Sequence, residues 1–170
     1  SLRIDTNLVF AAGNSAGSVM TLHASFVNET ERQTIASTFN NPDLDCLDCV
    51  GNSYTHRSVP LAIANFWGAI SDTAFMEATD QVPVISFHGT EDASVFPGEE
   101  HPFGYSTFPK LQGSDLIFDR MQTLQIDHVY KKLVGADHEP WGLTGENAYL
   151  DTLVDGTAQF FYNYLPASSV

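Results

Sequence analysis

Short apolar segments alternate with segments of helical spacing along most of this chain, and this alternation limits the folds that it can adopt. Four apolar segments predict buried strands, at residues 7–12, 62–70, 82–88 and 127–134. Apolar residues at helical spacing predict helices at residues 17–27, 115–125 and 145–165, with a shorter one at 31–39. Short apolar strands separated by helices are typical of a mostly parallel sheet with helices on its faces.

The chain length favours one domain. At 170 residues, of which 43% are hydrophobic, the chain is long enough to bury a sizeable core. The stretch 93–114 is the exception to the alternation, since it is rich in proline and glycine with aromatics between them. We therefore expect a single domain over residues 1–170, with 93–114 as a loop insertion.

The charge balance excludes some partners. Twenty-one acidic and 7 basic residues give a net charge of −14. Nucleic acids and anionic membranes are bound by clustered Lys and Arg, so neither is expected as a partner. Membrane insertion is not expected either, because no apolar run approaches the length that spans a bilayer. The acidic surface is interpreted as a means of staying in solution.

The two cysteines, Cys46 and Cys49, form a CxxC pair. No second CxxC and no nearby His pair accompanies them, so a four-ligand zinc site does not fit. The pair lies among Asn, Asp, Pro and Gly rather than at the start of a helix, which favours a local disulfide over a redox motif. A disulfide predicts an oxidising compartment, extracellular or periplasmic. Two free thiols in a cytoplasmic protein are the alternative.

Ser15 lies in the sequence Gly13-Asn14-Ser15-Ala16-Gly17, directly after a predicted strand and at the start of a predicted helix. At a sharp strand-to-helix turn the central residue adopts a strained conformation, and glycines two positions before and after it avoid side-chain clashes. The hydroxyl then projects at a helix N-terminus, which favours developing negative charge. The motif predicts a nucleophile. A helix N-cap serine is the alternative.

A nucleophilic serine needs a base, and His138 is the best candidate among six histidines. It follows the fourth predicted strand in GADHEPWG, at the edge of the sheet where parallel strands end. The other five are interpreted as packing, loop or strand-start residues: His23, His56, His88, His101 and His128.

The base needs an orienting carboxylate, and Asp92 follows the third predicted strand by a few residues. Its neighbour Glu91 would point elsewhere if Asp92 faces the site. Asp72, after the second predicted strand, is the main rival. In open parallel sheets the chemistry lies at the carboxyl ends of the strands, and each member of this trio follows a different strand.

With these motifs in place, the chain resembles the carboxyl-terminal part of an α/β-hydrolase. The resemblance rests on GNSAG at 13–17, PVISFHGTEDASV at 83–95 and GADHEPWG at 135–142, in that order. It is nearest in character to carboxylesterases, feruloyl esterases and polyhydroxyalkanoate depolymerases. The resemblance implies a cofactor-free and metal-free serine hydrolase that cleaves carboxylic esters through an acyl-enzyme. The backbone N–H of Ala16 would bind the oxyanion.

The chain departs from that family at its start. The family has several strands before the serine turn, and a loop among them carries an HGG-type motif that supplies a second oxyanion donor. We expect that donor, and a partner for the first strand, to come from a missing amino-terminal segment or from a second copy in a homodimer. Two alternatives stay open: a serine peptidase or amidase of the same fold, and a catalytically incomplete half-domain.

The aromatic residues near the predicted site suggest a substrate pocket. Phe96 and Phe103 lie in the 93–114 insertion, and Trp141 lies three residues after His138. We predict that they form a pocket wall for a modest acyl group or an aromatic ester. Packing of the insertion onto the body is the alternative role for each of them.

Overall fold

The computed structural model describes residues 3–38, 46–49, 51, 53, 59–142 and 148–166. In chain order the elements are β1 (Ala11–Asn14), α1 (Ala16–Phe26), α2 (Glu29–Thr38), β2 (Ile63–Phe66), β3 (Ala69–Ile70), β4 (Val84–Gly89), β5 (Glu99–Glu100), β6 (Leu111–Gly113), α3 (Ser114–Leu124), β7 (His128–Leu133) and α4 (Leu150–Tyr162). His56 and residues 143–147, of which 145–147 are within the range predicted for the last helix, lie outside the described residues.

Four strands form the main sheet, in the order β1-β2-β4-β7, and every pair in it is parallel. The register runs through Ala12, Ala64, Ile85 and Val129. Because all four strands point the same way, their carboxyl ends meet at one edge. The predicted fold class, a parallel sheet flanked by helices, is confirmed.

Each face of the sheet carries its own apolar core, because successive side chains of a strand point to opposite faces. Ile63 and Val84 face one core, which includes Leu22 and Phe26 of α1 and Ile117 of α3. The other core contains residues of the sheet and of α4: Ala64, Trp67, Ile85, Phe87, Leu153 and Phe160. The two cores hold the strand ends in place from both sides.

The single strand predicted at 62–70 is interrupted. Trp67 has a φ of 42°, which no regular strand accommodates, so β2 ends at Phe66 and the chain turns before β3. The Trp67 side chain is fully buried, and its packing in the second core offsets the strained backbone.

The 93–114 stretch, expected to be a loop, contains β5, β6 and a short 3-10 turn at Pro102–Gly104. β5 and β6 join β3 in a small antiparallel sheet of order β3-β6-β5. Strands of two or three residues show no alternation that a sequence pattern could reveal. The predicted strand at 7–12 begins later, at Ala11, because a turn precedes it in which the Leu8 N–H donates to Asp5.

Within the described part of the chain, no helix combines the length and the apolar character that crossing a membrane requires.

Candidate active site

Ser15 occupies a strained turn between β1 and α1. Its φ of 50° and ψ of −122° lie in a region that L-residues rarely adopt. The Ser15 N–H donates to the Phe66 carbonyl over 2.9 Å, which ties the turn to the end of β2. The Ser15 side chain makes no capping bond to α1, so its hydroxyl is not an N-cap group.

The two glycines of the GNSAG motif have different roles. A Cβ on Gly13 would lie 2.4 Å from the carbonyl carbon of Gly17, so only a glycine fits there. A Cβ on Gly17 would come no closer than 3.9 Å to the Asn14 side chain. The steric demand expected at both positions is therefore present at Gly13 and absent at Gly17.

Three predicted residues come together at the carboxyl edge of the sheet. The Nε2 atom of His138 lies 2.9 Å from the Ser15 Oγ, and its Nδ1 atom lies 2.7 Å from Asp92 Oδ2. Since a carboxylate only accepts, Nδ1 carries the proton and donates to Asp92. Nε2 then accepts from the Ser15 hydroxyl. The serine is half-buried, and 17% of the His138 side chain is exposed.

The Asp92 carboxylate is buried and receives donors on both oxygens. Oδ1 accepts the N–H groups of Ser94 and Val95, each over 2.9 Å, and Oδ2 accepts from His138. Burial alone raises the pKa of this carboxyl, but the hydrogen bonds from His138, His88 and Val95 outweigh that effect. The pKa of Asp92 is thereby held well below its usual range, and the group is an anion.

The turn that carries Asp92 packs closely on the loop that carries His138. A Cβ on Gly89, at the end of β4, would lie 2.2 Å from the Ala136 carbonyl oxygen. The Glu91 N–H donates to the same oxygen over 3.0 Å. Across the site, the Asn14 side-chain amide donates to Glu139 over 3.2 Å. Backbone packing thus fixes the three side chains relative to one another.

A second Ser–His–Asp arrangement shares the same carboxylate. Ser114 Oγ lies 2.8 Å from His88 Nδ1, and His88 Nε2 lies 3.3 Å from Asp92 Oδ2. Ser114 and His88 are both fully buried, at 0% exposure. A substrate carbonyl cannot reach a hydroxyl in that position, whereas Ser15 lies at the surface.

Ala16 is the first residue of α1, directly after Ser15. The first N–H groups of a helix have no partner within it, and the helix dipole gives this end partial positive charge. The Ala16 N–H is therefore the group expected to bind negative charge developing beside Ser15.

The three predicted wall residues are placed differently. Trp141 packs edge-to-face on Trp67, with 4.6 Å between ring centroids, and Trp67 in turn lies against the His138 ring. Phe96 lines a surface groove together with Asp92, with a cavity volume of about 340 Å³. Phe103 is 57% exposed, and its ring lies against that of Phe108, with 6.3 Å between centroids. Trp141 is thus the aromatic residue joined to the His138 surroundings.

The alternative candidates for the carboxylate and the base have other roles in the structure. Asp72 caps the 3-10 turn at Thr73–Phe75 by accepting from the Ala74 N–H. Glu91 is exposed. Three histidines bond to backbone carbonyls through Nδ1: His23, His101 and His128.

Cys46 and Cys49 are joined by a disulfide. Among the residues that the structure describes, no three His, Cys, Asp or Glu side chains are grouped as metal ligands.

The sequence pattern does not predict one cluster of buried polar side chains, which consists of Asn65, Ser86, His88 and Ser114. Asn65 and Ser86 lie inside apolar strands, where a polar residue needs a buried partner. That signal was present, but the partner on α3 is 49 residues away from Asn65 and could not be identified from spacing.

Comparisons with known proteins place this fold among esterases. No protein-family model and no curated protein sequence matches the chain. Native esterase Est2 from the planctomycete Thermogutta terrifontis matches with a TM-score of 0.59 at 18% identity, over 93% of this chain and 56% of that one. Its butyrate-bound form matches with a TM-score of 0.59 at 18% identity, over 93% and 58%. A truncated carbohydrate esterase from gut microbiota matches with a TM-score of 0.62 at 14% identity, over 95% and 61%.

These matches concern backbone shape, since the sequence identities are low. The chain spans a little over half the length of the esterases that it matches. Together with the parallel sheet and the strained serine turn, they establish that the chain has an α/β-hydrolase-like fold over part of an esterase's length.

Proposed function

We propose that this chain is a serine hydrolase that acts on carboxylic esters, with Ser15 as nucleophile, His138 as base and Asp92 as the orienting carboxylate. The observation that carries the proposal is the continuous contact from Ser15 Oγ through His138 to Asp92, at 2.9 and 2.7 Å. The esterase neighbours support the same class of reaction through shared fold.

The reaction follows from the protonation states. His138 Nε2 takes the Ser15 proton while Oγ attacks the ester carbonyl carbon, and the resulting imidazolium is stabilised by the Asp92 anion. His138 then gives this proton to the leaving alcohol oxygen as the carbon–oxygen bond breaks, which leaves an acyl-enzyme. Water attacks the acyl carbon with His138 again as base, and Ser15 is released with its proton restored.

The Ala16 N–H binds the oxyanion in both steps. Loss of one such donor costs on the order of 3 kcal/mol of transition-state stabilisation, so a second donor matters for turnover. Within the described residues β1 is an end strand of the sheet. We propose that a further amino-terminal segment, or a second copy, pairs with β1 and brings that donor. Sedimentation of the chain as a monomer that hydrolyses esters at full rate would exclude the second copy.

The substrate we propose is an ester with a short acyl group or an aromatic acid. Trp141 is 38% exposed beside the His138 surroundings, so one edge of an aromatic cluster faces solvent there. One of the structural neighbours was solved with butyrate bound, which is a short acyl group. We also propose that the protein is secreted, because its disulfide fits an oxidising compartment.

The test is covalent labelling with a fluorophosphonate, located by mass spectrometry. The Ser15 oxygen displaces fluoride from phosphorus only when a base takes its proton. We expect an adduct on Ser15 in the wild-type chain and none in His138→Ala. In a Ser114→Ala variant any adduct should still be found on Ser15, because the Ser114 hydroxyl is buried and is not the group that is labelled. A folded wild-type chain without an adduct on Ser15 would contradict the proposal.

Labelling does not distinguish an esterase from a peptidase of the same fold, so turnover is compared next. We expect p-nitrophenyl butyrate to be hydrolysed and the matching p-nitroanilide to be hydrolysed at least about a hundredfold more slowly, a difference of some 2.7 kcal/mol in barrier. Comparable rates on the two would instead support a peptidase or amidase.

A further inference from the structure

The interior of the sheet contains a series of hydrogen-bonded, buried polar side chains. The series ends beside Asp92, the proposed orienting carboxylate. Asn65 is at its centre, on β2. The Asn65 amide nitrogen donates to Ser86 over 2.9 Å and to Ser114 over 3.1 Å. Its oxygen accepts from Ser18 and from the Gly68 N–H. All four hydrogen-bonding positions of the amide are therefore used.

Asn65 thereby determines which atoms of Ser114 and His88 carry the protons in this series. Ser114 Oγ accepts from Asn65, so its own proton is free to be donated to His88 Nδ1, 2.8 Å away. His88 Nε2 faces only acceptors: the Val95 carbonyl oxygen at 2.7 Å and Asp92 Oδ2 at 3.3 Å. Nε2 must therefore carry the ring proton, and Nδ1 is the acceptor.

The result is a closed loop of contacts around the proposed nucleophile. One branch runs from Ser15 through His138 to Asp92. The other returns from Asp92 through His88 and Ser114 to Asn65 and then Ser18, whose N–H donates to the Ser15 carbonyl over 3.0 Å. Two imidazoles thus approach the same carboxylate oxygen, that of His138 partly exposed and that of His88 fully buried.

We propose that His88 is a positioning residue, whose Nε2–H, directed by Ser114 and bonded to the Val95 carbonyl, also lies 3.3 Å from Asp92 Oδ2 and stabilises there the anion that His138 needs. This inference rests on the proposed function, because it assigns His88 a task in the same reaction. His88 touches no substrate and acts through Asp92 alone.

Burial makes this contact important. The Asp92 side chain has no exposure to solvent, so no water can replace a donor that is removed. Oδ1 is held by two backbone N–H groups that no side-chain substitution removes. Among the described residues, Oδ2 accepts a hydrogen bond from His138, and the His88 Nε2–H, which is bonded to the Val95 carbonyl, lies 3.3 Å from it. The charge of Oδ2 therefore depends on His88 as well as on His138.

Without the His88 donor, Oδ2 would interact more strongly with the proton on His138. The imidazolium would then be favoured over the neutral base, and labelling of Ser15 would require higher pH. Other charged groups near His138 and Asp92 are Glu91, Asp137 and Glu139, which are exposed, and Glu99 and Glu100 of the groove that Asp92 lines. They are the same in every variant compared, so a difference between variants reports the Asp92 contact.

The experiment measures the rate of fluorophosphonate labelling of Ser15 against pH in the wild type, in His88→Met and in His88→Gln. His88→Met removes the donor while roughly keeping the volume. His88→Gln keeps an N–H donor near the position of Nε2. We expect His88→Met to raise the midpoint of the profile by roughly half a pH unit or more and to lower its plateau roughly tenfold. His88→Gln should restore most of the midpoint and part of the plateau.

Ser25→Ala is the matched control for loss of a buried hydrogen bond. Ser25 is 2% exposed, and its hydroxyl donates to the Thr21 carbonyl within α1, away from Asp92. Rates are corrected for the folded fraction, measured by circular dichroism. We expect the Ser25→Ala midpoint to equal that of the wild type. A His88→Met profile that superposes on the wild type after this correction would overturn the inference.

A separate readout keeps the inference testable if Ser15 does not label at all. In ¹⁵N-histidine-labelled protein, the His138 Nδ1–H proton bonded to a buried carboxylate should give a far-downfield NMR signal. We expect this signal in the wild type and at nearly the same position in His88→Gln, and a clear further downfield shift in His88→Met, because Oδ2 then interacts more strongly with the His138 proton. An unlabelled wild type with that pattern would contradict only the proposed function. An unchanged signal in His88→Met would contradict the role of His88.

Discussion

Gly13 and Gly17 lie on either side of Ser15, and the Cα of Gly13 packs directly against the backbone of Gly17. A methyl group on Gly13 would lie 2.4 Å from both the carbonyl carbon and the carbonyl oxygen of Gly17. Neither atom can move without shifting α1, which begins at Ala16. The strand-to-helix turn is therefore closed by one glycine, although the motif contains two.

This asymmetry predicts opposite effects of the same substitution at the two sites. Gly13→Ala should lower the free energy of unfolding by at least about 2 kcal/mol, because backbone must shift to relieve the overlap. Gly17→Ala should raise it by about 0.5–1 kcal/mol, because an alanine replaces a glycine inside a helix with room for its methyl group. Urea unfolding of both variants measures the difference. Equal destabilisation by the two would show that the strand-to-helix turn needs both glycines.

The contact between Asp92 and His138 predicts that Asp92, and not Asp72, is the carboxylate that orients the base. Asp92→Asn should reduce kcat/KM for an ester by roughly 10³–10⁴, because a neutral amide neither fixes the Nδ1–H tautomer nor stabilises the imidazolium. Asp72→Asn is the matched control: Asp72 only caps a short turn, so kcat/KM should stay within about twofold of wild type. Ester hydrolysis by the two purified variants decides between them, and a larger loss in Asp72→Asn would make the rival carboxylate the acid.

The order of elements and the trio at the strand ends follow from patterns that a sequence displays directly. Apolar runs with glycine and asparagine after them predict where parallel strands end. Because those ends share one edge, Ser15, Asp92 and His138 could be proposed together from spacing alone. In the structure His138 lies 2.9 Å from Ser15 and 2.7 Å from Asp92, and their catalytic roles stay a prediction.

Other features could not be predicted because they depend on contacts between distant residues. Trp67 breaks the 62–70 strand through packing in a core formed partly by α4, far along the chain. In the small sheet, β3 pairs with β6 across more than 40 residues, as Ala69 does with Gly113. The sequence position of His88 favours a packing role, whereas in the structure its Nδ1 lies at Ser114 and its Nε2 lies at the Val95 carbonyl and near Asp92.

Burial of His23 predicts a dependence of stability on pH. Its Nδ1–H donates to the Val19 carbonyl, and Nε2 accepts from Ser71. Burial lowers the pKa of His23 below its usual value, an effect that the bond to Val19 only partly offsets. The unfolded chain therefore binds a proton, from about pH 6.5 downward, that the folded chain does not. Stability from this group is complete above that pH and declines as the pH falls towards the lowered value.

Unfolding by urea at several pH values tests this dependence. Between pH 7 and pH 5 the free energy of unfolding of the wild type should fall. His23→Gln, which cannot be protonated, should show a smaller decrease over the same interval, although it starts from a lower stability. Parallel curves for the two proteins would mean that the acid sensitivity arises at other groups.

The placement of the aromatic residues predicts which of them sets substrate preference. Trp141 joins the ring cluster around His138, whereas Phe103 is 57% exposed with its ring against Phe108. Trp141→Ala should therefore raise KM for p-nitrophenyl butyrate roughly three- to tenfold, with a smaller effect on the acetate, because the acyl chain loses apolar contact area. Phe103→Ala should leave both KM values and their ratio within about twofold of wild type, as expected of a surface substitution. KM for both esters in the two variants tests the assignment. A change in the butyrate-to-acetate ratio in Phe103→Ala alone would place the acyl site under the 93–114 segment instead.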